Sequence, residues 1–113
     1  MKTHLGLLAA GVIVLCGCAQ KPEAIAPAYV SPTTYQSFGC SALRAEAVRV
    51  DNALARASAQ QNKARQNDTV GVILLGLPTA SLSGSNVADQ VASLKGQKQT
   101  IRQTQIRKRC IRG

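Results

Sequence analysis

The sequence predicts an all-α fold, an antiparallel two-helix hairpin that follows a cleaved signal peptide and an extended Pro-rich tether. Three observations predict it. A heptad stripe runs through 41–68, a second amphipathic stretch fills 86–110, and Cys40 and Cys110 stand symmetrically about an apolar Gly/Pro segment between them. At 113 residues the chain has room for one domain. Its three aromatics and absent Trp leave little bulk for a core, and much of its 45% apolar content is alanine or lies in the first 18 residues. A chain this small needs a staple or a partner to be stable.

The first element is a targeting segment, 1–17. A short positive start, Met1-Lys2-Thr3-His4, precedes the 11-residue apolar run 5–15. As a helix that run reaches about 16 Å, roughly half of a bilayer core. It is too short to span and matches a secretory signal. Its end, Leu15-Cys16-Gly17-Cys18, resembles the lipobox of bacterial lipoproteins, with Leu at −3 and a small residue at −1. The resemblance implies a diacylglyceryl thioether on Cys18, cleavage before it, and acylation of the new amine with a palmitate-type chain. Ala19, in place of Asp, implies an outer-membrane location facing the periplasm. Removal of 1–17 takes away His4, the sole histidine, and leaves 13 Lys/Arg against 5 Asp/Glu.

Residues 18–36 carry the lipidated N-terminus and then Pro22, Pro27 and Pro32. Proline at this density blocks helix and predicts a flexible, solvated tether reaching roughly 50 Å. Residues 37–113 form the hairpin. In its first helix, about 41–68, Leu43, Ala47, Val50, Leu54, Ala57, Gln61, Ala64 and Asp68 alternate at steps of four and three. They form a stripe that is apolar until its last turns, flanked by Arg44, Arg49, Arg56 and Arg65. Eight alanines in this span add helix propensity.

An apolar turn is expected at about 70–84, since Pro78 ends any helix entering it. The second helix, about 86–110, opens on Asn86 with Asp89 three residues on, a cap and an acid at the positive end of the dipole. Val87, Val91, Leu94 and Ile101 line it. Seven of the 14 basic residues lie between Lys95 and Arg112, with no acid among them. Cations at a helix C-terminus are stabilising.

With Cys18 acylated, Cys40 and Cys110 remain, in a compartment where disulfides persist. Their midpoint is residue 75, inside the expected bend, so in an antiparallel hairpin they meet at its open end. An intramolecular bond there contributes roughly 4 kcal/mol in the chain-entropy model. An intermolecular bond in an oligomer is the rival. A catalytic thiol lacks a histidine to activate it.

The pattern Cys40-x-x-Leu43-x-x-Glu46-x-x-Arg49 follows Tyr35 and Val30-Ser31-Pro32. Asp68, the apolar stretch 71–78, Leu94-Lys95-Gly96 and Cys110 come after it. This combination resembles a group of small proteobacterial lipoproteins of unknown function, over most of the mature chain. The group's apolar stretch closes on a bulky aromatic before the proline; Gly76-Leu77 stands here. The resemblance implies the architecture and brings no activity with it.

The residues point away from enzymes. Glu23, Glu46, Asp51, Asp68 and Asp89 are scattered, and no phosphate loop, zinc spacing or nucleophile motif appears. No catalytic residue, metal, cofactor or small-molecule substrate is expected, and the location excludes nucleic acid. The expected role is a non-catalytic scaffold or adaptor, tied to the membrane by its lipid. It would self-associate or dock on an envelope complex such as a secretion or conjugation apparatus. The alternative is a binder of lipopolysaccharide, phospholipid or peptidoglycan through Arg102, Arg107, Lys108, Arg109 and Arg112.

Overall fold

Leu43, Val50, Ala57, Ala64 and Gly71 recur at seven-residue intervals and are all buried. Their side chains shrink steadily from Leu to Gly, so whatever packs on this seam comes closer toward its C-terminal end. In the computed structural model, which describes residues 19–77, 79–82, 84 and 86–113, the seam belongs to one long helix, α1 (Cys40–Leu75). A single turn of helix, α2 (Thr79–Leu82), and the helix α3 (Ala88–Arg107) return along it. The fold is all-helical, with α1 and α3 packed on each other and no strand among the described residues. The expected signal segment 1–17 and the expected lipidation site Cys18 lie outside the described residues.

The register is antiparallel and holds from end to end. Cys40 bonds Cys110, the Lys98 ammonium meets the Asp51 carboxylate at 2.9 Å, Val87 N–H donates to Gln61, and Ser81 N–H donates to Asp68. Every one of these pairs is centred on residues 74–75, as the cysteine symmetry predicts.

Two boundaries differ from the expected ones. The first helix does not stop at 68 but continues through Val70-Gly71-Val72-Ile73-Leu74-Leu75, so most of the expected apolar turn is helical. It ends where Gly76 enters the left-handed region (φ 71°) and its N–H donates to the Val72 carbonyl. Glycine adopts this conformation without the Cβ clash other residues meet. The second helix spans Ala88–Arg107, shorter than 86–110 at both ends. Asn86 still acts as a cap, its Oδ1 accepting the Ala88 N–H at 3.1 Å.

The larger correction concerns the tether. Residues 19–39 do not hang free; they run as a strap along the hairpin, exposed on its outer side, with Ile25 and Tyr35 buried in the core beside Leu43, Val50, Val91, Leu94 and Ile101. Tyr35 stacks edge-on against Phe38, centroids 5.3 Å apart. Only Pro22, Pro27 and Pro32 lack an N–H here, yet most of the strap's hydrogen bonds to α3 and the residue after it run from side chains there to strap carbonyls. Ala28 N–H reaches the Ala92 carbonyl at 2.9 Å, and the strap carbonyls then take side-chain donors. The Lys95 ammonium donates to Pro22 and Ile25, Thr100 Oγ1 to Val30, the Arg107 guanidinium to Pro32, and the Lys108 ammonium to Gln36 and Phe38. A Cβ on Gly96 would lie 2.1 Å from the Ala28 carbonyl oxygen, so the strap crosses α3 where only glycine fits.

Candidate functional site

Two buried polar side chains lie toward the bend. Where the seam of α1 turns polar, Gln61 and Asp68 are both fully buried. Gln61 Oε1 accepts from Val87 N–H at 2.8 Å, at the entry to α3, while its Nε2 donates to the Gln20 carbonyl at 3.0 Å. One turn pair further on, Asp68 accepts from Ala19 N–H and Ser81 N–H, each at 2.8 Å, and from the Ser81 hydroxyl. Asn86 Nδ2 donates in turn to Ser81 Oγ. The two side chains form a clasp, each gripping the strap with one arm and the returning chain with the other.

Burial pushes the Asp68 carboxyl upward. The hydrogen bonds from the Ser81 hydroxyl and from the Ser81, Ala19 and Ala80 amides outweigh it, so the net shift is below the ordinary value. Donors aimed at the charged form hold it charged. The clasp therefore fastens Ala19, the residue next to Cys18, to the bend end of the hairpin.

Beyond the clasp, Gly71 alone of residues 69–77 is buried. Ile73, Leu74 and Leu75 are 75%, 73% and 69% exposed, and Val70, Val72 and Leu77 are exposed with them. From Thr69 to Ala88 the sequence holds no charged residue, although the whole chain carries +9. A contiguous exposed apolar surface of this kind marks an interaction site. No helix among the described residues is long and apolar enough to cross a membrane.

At the opposite end the structure brings together the residues of the Cys40 motif. Cys40 is joined to Cys110 with Cα atoms 5.4 Å apart, and Leu43 is in the core. Glu46 and Arg49, three apart on α1, form an ion pair in which the Arg49 hydrogen bonds hold the Glu46 carboxyl below its usual value. Burial, with Glu46 nearby, raises the Tyr35 hydroxyl. These residues are structural in their contacts.

The basic cluster is divided. Arg107 and Lys108 hold strap carbonyls, whereas Arg102, Arg109 and Arg112 are exposed on the surface. Arg109 has a further duty. It is left-handed (φ 58°), and with Arg109 N–H on Ile106 and Cys110 N–H on Gln105 it closes α3 in a Schellman turn. That turn aims Cys110 back at Cys40.

No protein-family model, curated protein or solved structure matches this chain.

Sequence reasoning missed the clasp, because Gln61 and Asp68 read as the fading end of an apolar stripe. It also gave no role to Lys95 or Gly96, although a Lys-Gly pair inside an apolar helix face is the signal for a chain crossing close above it.

Proposed function

We propose that this chain is a lipid-anchored cell-envelope protein, acylated on Cys18, whose strapped hairpin is a non-catalytic scaffold or adaptor for an envelope complex. The lipobox-like Leu15-Cys16-Gly17-Cys18 behind an 11-residue apolar run supports the anchor. One observation carries the scaffold reading. Among the described residues the four buried polar side chains, Gln61, Asp68, Thr100 and Thr104, are all engaged with backbone groups, so the interior polarity builds rigidity. Contact with a protein partner then falls to the surface, where Tyr29 and Val48 are exposed apolar groups away from the bend.

The test is metabolic labelling with a clickable palmitate analogue, followed by crosslinking in intact envelopes and purification through a C-terminal tag. The expected result is label that disappears in Cys18→Ser, and a defined crosslinked adduct that needs the anchor. An unlabelled wild-type chain retaining Met1, or one with no adduct in the envelope, contradicts the proposal.

A second reading, binding of an anionic envelope polymer or lipid, rests on the exposed Arg102, Arg109 and Arg112. It predicts salt-sensitive attachment of Cys18→Ser protein to anionic vesicles, lost when these three become Gln.

A further inference from the structure

We infer that the apolar tip 70–77 inserts into the same bilayer that holds the acyl chains of Cys18, so that the hairpin stands on the membrane by its bend end with its disulfide end away from it. The inference rests on the lipid-anchored reading above and adds what that reading lacks, an orientation.

The anchor and the tip are at one end of the molecule. Asp68 grips Ala19 N–H, and the covalent chain sets the Cα of residue 18 about 3.8 Å from that of Ala19. Leu74 lies six residues beyond Asp68 on the same helix, about 9 Å along its axis. A free tether would have let the lipid lie anywhere around the domain; the strap and clasp remove that freedom.

The tip suits a bilayer better than a protein partner. Its large side chains are exposed around the helix, with only Gly71 buried among them, so it presents a plug and not a one-sided face. A protein interface is rimmed by polar and charged groups; no charged residue lies between 69 and 88, and no polar one between Thr69 and Thr79. Cations stand just behind the plug: Arg65 and Lys63 sit about 8 and 11 Å back from Val70 along α1, and exposed Lys21 lies two residues from Ala19 on the strap. Cations at that depth meet anionic headgroups while the apolar groups ahead of them enter the acyl region, typically by about 5–10 Å. Because more than one acyl chain already gives stable anchoring, insertion acts mainly on tilt and height.

The chain contains no tryptophan, so a single substitution supplies a clean probe. Full-length, acylated Leu74→Trp is purified and reconstituted into vesicles of phosphatidylethanolamine and phosphatidylglycerol, with and without brominated acyl chains. Val48→Trp, on an exposed position about 39 Å back along α1, is the control. Acylation of Cys18 is read from the intact mass. The expected result is blue-shifted Leu74→Trp emission that brominated chains quench and acrylamide does not, with the opposite pattern for Val48→Trp.

Equal acrylamide quenching of both probes, with Cys18 acylated, overturns the insertion and leaves the anchor standing. Shielding of the Leu74→Trp indole from acrylamide without quenching by bromine means that protein covers the tip, a second copy or an uncleaved leader, and also overturns it. A mass without acyl chains removes the anchor and the inference together.

Discussion

The two ends of the hairpin close by opposite means. At the open end, large apolar side chains (Leu43, Tyr35, Val50, Ile101) pack against one another and a disulfide joins the chain ends. At the bend, the seam has tapered to Ala64 and Gly71, and backbone groups are held by two buried polar side chains, Gln61 and Asp68. The difference follows from the taper. Small residues bring the backbones close but bury little area, so directional hydrogen bonds must supply the closure that apolar burial supplies elsewhere. A covalent, apolar end ignores pH; a carboxylate end does not.

The largest effect is expected at the open end. Cys110→Ser releases a bond between residues 70 apart and should lower stability by about 4 kcal/mol in the chain-entropy model. Urea unfolding measures it, and the reduced wild type should match the variant. Next comes the strap, which links both ends. Gly96→Ala drives a methyl into the Ala28 carbonyl and should cost about 3 kcal/mol, with faster hydrogen exchange of Ala28 as the sign that the strap has lifted.

Asp68→Asn should cost about 2 kcal/mol, because an amide presents donors to donors where the carboxylate accepted them. It also carries the pH test. The folded carboxyl of Asp68 is below its unfolded value, so its contribution is complete above about pH 4 and is lost as pH falls through the folded value. Wild-type stability should therefore decline on that acid side more steeply than that of Asp68→Asn; equal slopes would remove Asp68 from the closure. The smallest effect has the opposite sign. Arg109→Gly relieves a left-handed residue and should stabilise by about 0.5 kcal/mol, after the cost of a more flexible unfolded chain. A loss of stability there would mean that the Arg109 side chain has a role of its own.

The hairpin was legible because its signals are local or symmetric. The step-of-seven seam needs only one helix to be read, and Cys40 and Cys110 balance about residue 75 in the sequence itself. The strap was not legible because Pro22, Pro27 and Pro32 report what a segment cannot donate, not who donates to it. Its partners Lys95, Thr100, Arg107 and Lys108 lie some 70 residues away, and the three cations among them read as part of the basic run toward the helix C-terminus. Ile25 and Tyr35 were the readable hint, apolar groups with no business in a solvated linker. The continuation of α1 through 70–75 was hidden by Gly71 and a β-branched run, both poor in helix propensity and overridden by packing on one side.

Whether the strap brings the N-terminal side of the chain, at residues 19 and 20, to the bend is tested most directly by a distance. Nitroxides on Gln20→Cys and Leu74→Cys, both exposed positions, are measured by pulsed electron resonance with the Cys40–Cys110 bond intact. With residue 20 held at Gln61, the expected separation is narrow and about 20 Å, from the 13 residues of helix between 61 and 74. A free tether would start from Cys40, 34 residues of helix away, and give a broad distribution near 50 Å, which would contradict the clasp and everything oriented by it.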